Sequence, residues 1–351
     1  MKILYVGDLW HGSTAAHRLN AMKEIGDCDA IDSTIRFNSK LIHLLHWVSV
    51  KVKYHWDITG VNTDILRSIQ QTVYDVVWID KGLHIYPSVL KRIKSEYPNS
   101  FLVSYSPDDM FNPANQSHWY LKSIPTYDLH VSTKSYNVRE LKNTGARDVY
   151  FVDKSYAPEV HHKMELTDAE WAQWGCDVGF IGSWEEDRDR LIHHLADQGI
   201  TVTVKGSAWK KRSAPHPHIA VLPSEYWGTD YAKVINATKI NLCFLKKANR
   251  DLQTARSIEI PACGGFMLAE RTLEHQRLFE EDKEAVFFST KEELANKVKY
   301  YVHHDTDRRL IADAGYARCI RSGYTHADRL REVFAYLKSK QRVTGTTHIQ
   351  G

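Results

Sequence analysis

An α/β protein of two doubly wound, Rossmann-like domains facing a central cleft is the fold this sequence predicts, and two observations carry the prediction. Short apolar runs alternate with longer helical patterns from end to end, the sign of parallel sheets joined by crossover helices. The chain also has 351 residues, more than a single hydrophobic core usually supports. Ile3 to Val6, Val76 to Ile79, Phe101 to Tyr105, Leu129 to Val131 and Val149 to Val152 read as strands of a first sheet. Val178 to Ile181, Val202 to Val204, Ile240 to Leu245, Phe266 to Ala269 and Ala285 to Phe288 read as strands of a second. These runs place a first domain at 1–155 and a second at 177–326. The segment 156–176 mixes Pro158, His161-His162 and a short helical piece from Thr167 to Trp171, and is the expected linker. A last helical pattern covers 327–340, and the polar, Gly/Thr-rich 341–351 is expected to be a mobile tail. Ligands of doubly wound sheets bind outside the carboxyl ends of the strands, so polar residues just after a strand are the site candidates.

Composition narrows the function classes. A formal net charge of +3 argues against a strong nucleic-acid binder, and leaves room for a mild attraction to phosphorylated ligands or anionic membranes. Five widely spaced cysteines, Cys28, Cys176, Cys243, Cys263 and Cys319, make no C-x-x-C pair and suggest reduced thiols in a cytoplasmic protein. Met1 to Asp8 runs directly into a strand pattern without a signal-peptide apolar region, and no run approaches the roughly 20 apolar residues of a membrane span. A cytoplasmic location, with peripheral contact at the inner membrane face as its extension, is therefore the expectation. Nineteen histidines invite a metal reading. His161-His162, His193-His194 and His303-His304 are adjacent pairs that do not aim at one centre, and no H-E-x-x-H frame exists, so no bound metal is expected. The absence of G-x-G-x-x-G and of a P-loop counts against dehydrogenases and P-loop NTPases.

The chemistry concentrates between Gly179 and Gly265. Gly182 and Ser183 form a turn after a strand and ahead of a helix, where backbone N–H groups can face a diphosphate, and Arg188 can add positive charge. Lys246, Lys247 and Arg250 make a basic loop after the next long strand; a solvated surface run is the plain explanation, phosphate contact the functional one. Asp251 and Glu259 follow, with seven residues between them. A carboxylate can accept from both hydroxyls of a vicinal diol, so one acid can hold a ribose and the other a hexose. Glu259 lies among Ile258, Ile260, Ala262 and Cys263, where an unpaired charge is costly, so it needs a partner: ribose hydroxyls or Arg256, three residues earlier.

Asp251 to Glu259 resembles the E-x7-E element of retaining glycosyltransferases of the GT-B fold, with Asp251 in place of the first Glu. The run Arg256 to Gly265, followed by Leu278-Phe279, Lys283-Glu284 and Tyr324-Thr325 with Arg329, is similar to the spore-maturation CgeB-like branch, over about Gly179 to Tyr336. The resemblance implies a metal-independent transfer of a sugar from a nucleoside-diphosphate sugar to an acceptor hydroxyl of a glycan or glycoconjugate, with retention of configuration. It gives Asp251 a catalytic role, Glu259 the ribose, and Arg188, Lys246, Arg250 and Arg256 the diphosphate region. Lys205 and Gly206, and then Leu222 and Tyr226, occupy the region that borders the nucleotide base; a core-capping role for Tyr226 is the alternative. It also implies that helix 327–340 crosses back to the first domain. The shorter Asp251 leaves donor and stereochemistry open. A sugar-nucleotide epimerase or hydrolase on the same fold, and a non-catalytic glycan- or partner-binding surface-assembly protein, are the competing readings.

In the first domain His11, Gly12 and Ser13 follow the first strand and are candidates to line an acceptor site, as are Lys81 and His84 after another strand. Asp108 and Asp109 stand where such relatives place acceptor-orienting or basic residues, and are candidates for a catalytic or acceptor role; Asp-Asp after Pro107 is equally a good helix or turn start. Leu41 to Lys53 is apolar with basic residues at its end. A buried helix is the expectation there, and an interfacial helix near a lipid-linked acceptor the alternative.

Overall fold

The computed structural model describes residues 1–212, 214–222 and 226–346. They form two compact units, residues 1–153 with the helix that starts at His326, and residues 154–325.

In the first unit β1 (Lys2–Gly7), α1 (Thr14–Lys23) and β2 (Asp27–Asp32) are followed by α2 (Lys40–Lys51), α3 (Val61–Gln71), β3 (Val76–Asp80) and α4 (Pro87–Glu96). Then come β4 (Phe101–Ser106), α5 (His118–Ser123), β5 (Leu129–Ser132), α6 (Asn137–Asn143) and β6 (Val149–Phe151). The sheet is parallel, in the order β2-β1-β3-β4-β5-β6. Strand periodicity splits its apolar residues between two faces: Ile3, Tyr5, Trp78 and Val103 on one, Leu4, Val6, Val77 and Leu102 on the other.

The second unit contains α7 (Asp168–Trp174), β7 (Cys176–Ile181), α8 (Glu186–Asp197), β8 (Val202–Lys205), β9 (Ile219–Leu222), α9 (Thr229–Asn236) and β10 (Thr238–Cys243). It ends with α10 (Arg256–Ala262), β11 (Met267–Glu270), α11 (Leu273–Leu278), β12 (Val286–Phe288), α12 (Lys291–His303) and α13 (Asp305–Arg321). Its parallel sheet runs β12-β11-β10-β7-β8-β9. The final helix, α14 (His326–Thr346), belongs to the first unit: Ala327, Leu330, Phe334 and Leu337, at helical spacing, join the face that carries Tyr5 and Trp78.

Several expectations change. Residues 156–176 are packed into the second unit, with Tyr156, Ala157, His161 and Trp174 buried, and Tyr156 bridges Thr325. Helix α14 continues past 340, through Thr346; residues 347–351 of the expected tail lie outside the described residues. Helix α2 is not buried: Ser49 is its one buried residue, while Leu41, Leu44 and Trp47 are 63, 55 and 55% exposed. No helix among the described residues is long and apolar enough to cross a membrane.

In a sheet of this order the strand connections diverge between β1 and β3, and a buried ion pair fills that divergence. Asp80, at the end of β3, accepts from Arg18 Nε at 2.8 Å, Arg18 Nη2 at 2.6 Å and Tyr5 Oη at 2.7 Å. Arg18 also stacks over the Tyr105 ring, 4.3 Å from its centroid. Burial opposes the Arg18 charge, and Asp80 more than restores it. Asp80→Ala leaves that guanidinium buried and uncompensated, and is expected to cost about 3–5 kcal/mol in a urea titration.

His130 in β5 is fully buried, with Nε2 3.0 Å from the Ile124 carbonyl. Burial pulls its pKa down from 6.5 to about 4. The unfolded chain takes up this proton before the folded protein does, so stability is complete above pH 6.5 and falls as pH drops from 6.5 towards 4. The expected slope is up to about 1.4 kcal/mol per pH unit for this one proton. His130→Leu should flatten the pH dependence of urea unfolding by that amount.

Candidate functional site

The order of the second sheet places its divergence between β7 and β10, and the loops leaving those strands carry most of the charged candidates. Arg188 sits in the first turn of α8, nearly fully buried. It donates from Nη1 to the Ser183 carbonyl at 3.1 Å, from Nε to Leu245 at 3.2 Å and from Nη2 to Phe244 at 3.4 Å. One guanidinium thus ties the end of β10 to the loop after β7. Burial first, and Arg256 second, pull its pKa down to about 10, so it remains charged at neutral pH. Arg188 was expected on the ligand; instead it spends its donors on backbone carbonyls beneath the crevice.

Arg256, at the start of α10, reaches the same place from the other side. Its Nη2 donates to Phe244 at 3.3 Å, and its guanidinium lies 5.5 Å from the Phe180 ring centroid, as Arg188 lies at 5.6 Å. Among the described residues no carboxylate is within ion-pair distance of Arg256 or of exposed Lys246. Lys247 pairs with Glu270, and Glu185 is 3.9 Å from Arg188 Nε. The crevice therefore presents cationic groups facing a turn of backbone, an arrangement suited to an anion.

The glycines here have steric reasons. A Cβ at Gly182 would stand 2.9 Å from the Phe180 ring and 3.0 Å from Arg256 Nη1, so the missing side chain admits that guanidinium. A Cβ at Gly206 would fall 2.2 Å from the Gly182 carbonyl oxygen. Gly206 is thus a close-approach glycine between two loops, which Gly182 N to Lys205 O at 2.9 Å also joins.

Asp251 is buried and closes its own loop: Oδ1 accepts from Asn249 Nδ2 at 3.1 Å and Oδ2 from Lys246 N at 3.3 Å. Arg250 beside it takes φ +46°, the left-handed conformation the turn needs. Asp251 therefore fixes where Lys246 stands. Glu259, also buried, is not paired with Arg256. Its Oε2 accepts from Tyr231 Oη at 2.6 Å, and its Oε1 lies 3.8 Å from His161 Nε2. His161 Nδ1 accepts from Ala157 N at 3.1 Å, so the proton of the neutral ring is on Nε2, facing Glu259. Burial lowers the His161 pKa and pushes the Tyr231 phenol well up, so the phenol is a neutral donor on Glu259 with the imidazole standing beside it. The remaining lone pairs of Glu259 can accept hydroxyls. Tyr231 and His161 were missed in the sequence; His161 was set aside as half of an adjacent pair.

Other expectations fare differently. Lys205 is buried, donates to the Trp174 carbonyl at 3.0 Å and lies 5.8 Å from the Tyr226 ring centroid. Tyr226 packs edge-on against Trp174, the core-capping alternative, and Leu222 ends the edge strand β9. None of the three lies on the loops that leave β7 and β10.

In the first unit Ser13 caps α1, accepting from Ala16 N at 3.0 Å and donating to the Asp8 carbonyl at 2.6 Å. Gly12 takes φ +94° in the same turn, and His11 is exposed beside it. His84 stacks edge-on against His55, 5.4 Å away, and burial lowers its pKa. Asp109 is fully buried, accepting from Asn137 Nδ2 and from Phe111 N, both at 3.0 Å, in the helix-start role. Asp108 and Lys81 are brought together across the ends of β3 and β4 in a half-exposed pair of 2.7 Å, with Lys81 held at φ +65°. A non-glycine residue in that conformation marks strain often kept for function. All five cysteines are free, and no group of three or more His, Cys, Asp or Glu among the described residues is placed to hold a metal ion.

Comparison with solved structures agrees with this architecture. Sucrose-phosphate synthase (tll1590) from Thermosynechococcus elongatus superposes with a TM-score of 0.69 at 10% identity, covering 97% of this chain and 100% of that one. Anabaena Alr3699/HepE in complex with UDP and glucose gives 0.64 at 13% identity, over 97% and 100%. The α,α-trehalose 6-phosphate synthase of Burkholderia multivorans gives 0.65 at 8% identity, over 100% and 98%. The fold is GT-B. Residues 188–335 match a family model described as glycosyl transferase-like, a stretch that opens on Arg188 and takes in Lys246, Asp251, Arg256 and Glu259 of this GT-B chain. No curated protein matches the chain.

Gly206→Ala cannot be accommodated without moving the Gly182 loop. It is expected to cost about 1–3 kcal/mol in thermal or urea unfolding.

Proposed function

We propose that the protein is a glycosyltransferase that moves a sugar from a nucleoside-diphosphate sugar to an acceptor hydroxyl on a surface glycan or glycoconjugate. The observation that carries this reading is Arg256, a guanidinium without a carboxylate partner among the described residues, at the divergence of β7 and β10, beside Lys246 and within the glycosyl transferase-like stretch. Arg256 and Lys246 take the diphosphate, and Glu259, oriented by Tyr231 and His161, takes the ribose hydroxyls. Arg188 and Asp251 hold the two loops in place, and Asp251 is close enough to the crevice to meet the sugar as well. The UDP in the HepE complex makes uridine the first base to test.

In the transfer, the bond from C1 of the sugar to the β-phosphate oxygen breaks and its electron pair leaves with the diphosphate. The acceptor oxygen bonds to C1 and gives up its proton. Charge grows on the departing diphosphate, so fixed cations aimed there lower the barrier. Those cations take the part that a metal ion plays elsewhere, and the reaction proceeds without one. The E-x7-E likeness at Asp251 and Glu259 supports retention of the anomeric configuration. In the first unit the Lys81–Asp108 pair binds the acceptor.

The test is release of nucleoside diphosphate from a panel of sugar donors, with and without EDTA, and with glycan acceptors. Acceptor-dependent release unaffected by EDTA is expected, with a Glu259→Gln variant of unchanged melting temperature slower by about 10²-fold or more. Release at the same rate without any acceptor would point to hydrolysis or epimerisation, and a fully active Glu259→Gln would remove the ribose assignment.

A further inference from the structure

Helix α2 and its flanks are amphipathic in the wrong sense for a packed helix. Leu41, Leu44 and Leu45 recur at helical spacing on the solvent side, with Trp47 beside them, while the one buried residue of the helix is the polar Ser49. Phe37 before the helix, and Val52 and Trp56 after it, extend the exposed apolar surface. Ordinary surfaces scatter their apolar side chains singly; a continuous patch of this kind marks a contact.

The charge around the patch says what kind. From Ser33 to Trp56 there is no Asp or Glu, while Arg36, Lys40, Lys51 and Lys53 are interspersed with the apolar residues. Lys51 lies over the Trp47 ring, its Nζ 4.2 Å from the centroid, so the cation stays beside the aromatic side chain and can reach past it to a polar layer. Exposed leucines flanked by cations, with tryptophans at the margins, fit the boundary between acyl chains and anionic headgroups. A protein partner would need complementary carboxylates and a shaped surface, whereas this helix is a plain ridge with uniform positive flanks.

We propose that α2, with Phe37 and Trp56 at its ends, lies on an anionic lipid membrane surface and holds the first unit there. The helix rests parallel to the surface, with Leu41, Leu44, Leu45 and Trp47 among the acyl chains near the headgroups and Lys40 and Lys51 at the phosphates. This surface stands apart from the transfer reading, and either can fail without the other.

The full-length protein should float with vesicles of phosphatidylcholine and phosphatidylglycerol on a density gradient, and much less with phosphatidylcholine alone. Raising the salt should weaken the association. The double variant Leu44→Glu, Trp47→Glu alters two exposed residues, and should keep its melting temperature and nucleotide response while its vesicle-bound fraction falls about tenfold or more. Lys40→Glu with Lys51→Glu should lose chiefly the preference for anionic vesicles. The proposal is overturned if the wild-type protein fails to float with anionic vesicles. It is equally overturned if light scattering shows a dimer that the Leu44→Glu, Trp47→Glu variant dissociates, since the patch would then belong to a second copy.

Discussion

The second unit depends on one buried guanidinium. Where β7 and β10 part, their last carbonyls and the following loop have no sheet partners, and Arg188 supplies donors to Ser183, Phe244 and Leu245 at once. Everything that makes the crevice chemically useful follows from that attachment. Arg188 and Arg256 both lie beside the Phe180 ring, the glycines at 182 and 206 let the loops close on each other, and Asp251 sets the turn from which Lys246 projects. Burial first, and the neighbouring Arg256 charge second, lower the pKa of Arg188, so placing two cations this near each other carries a cost. An anion arriving in the crevice relieves it.

The two units solve the same geometric problem with opposite chemistry. Each is a parallel sheet whose strand connections diverge at one point, and each places a buried arginine there. In the first unit Arg18 meets Asp80 and Tyr5 directly, so the charge is neutralised within the protein and the point is closed to ligand anions. In the second, Arg256 is given a carbonyl and a ring instead of a carboxylate. The difference leaves the second unit better suited to the proposed anion, and the first with the half-exposed Lys81–Asp108 pair.

Much of the fold was legible in the sequence, because strands buried on both faces read as plain apolar runs. Ten of the strands were read this way; the two left unread, β2 and β9, each lie at one edge of a sheet, and β9 is a short apolar run from Ile219 to Leu222. Asp27-Cys28-Asp29-Ala30-Ile31-Asp32 carries acids that pair with Lys2, and nothing in its pattern distinguishes it from a loop. The site was legible in its location and less so in its roles. Position after a strand singled out the loops of 182–183 and 246–259, and the sheet order places those strand ends next to each other. Whether an arginine there faces ligand or carbonyl depends on what the neighbouring loop offers, which no local pattern encodes: hence Arg188 turned inward while Arg256 stayed available. Tyr231 and His161, distant in sequence from Glu259, carried no signal that could have linked them to it. Helix α2 was misjudged for a related reason, because apolar spacing reports a face and not which way the face points.

The most direct test of the central claim, that the crevice between β7 and β10 binds a nucleoside diphosphate through Arg256, is titration calorimetry with UDP, GDP, CDP, ADP and dTDP on the wild-type protein and on Arg256→Ala. Binding of one diphosphate by the wild type, weakened about 10- to 100-fold in the variant through loss of a charge-assisted contact, is the predicted result. Equal affinity in both proteins, or no binding of any of the five, would contradict it.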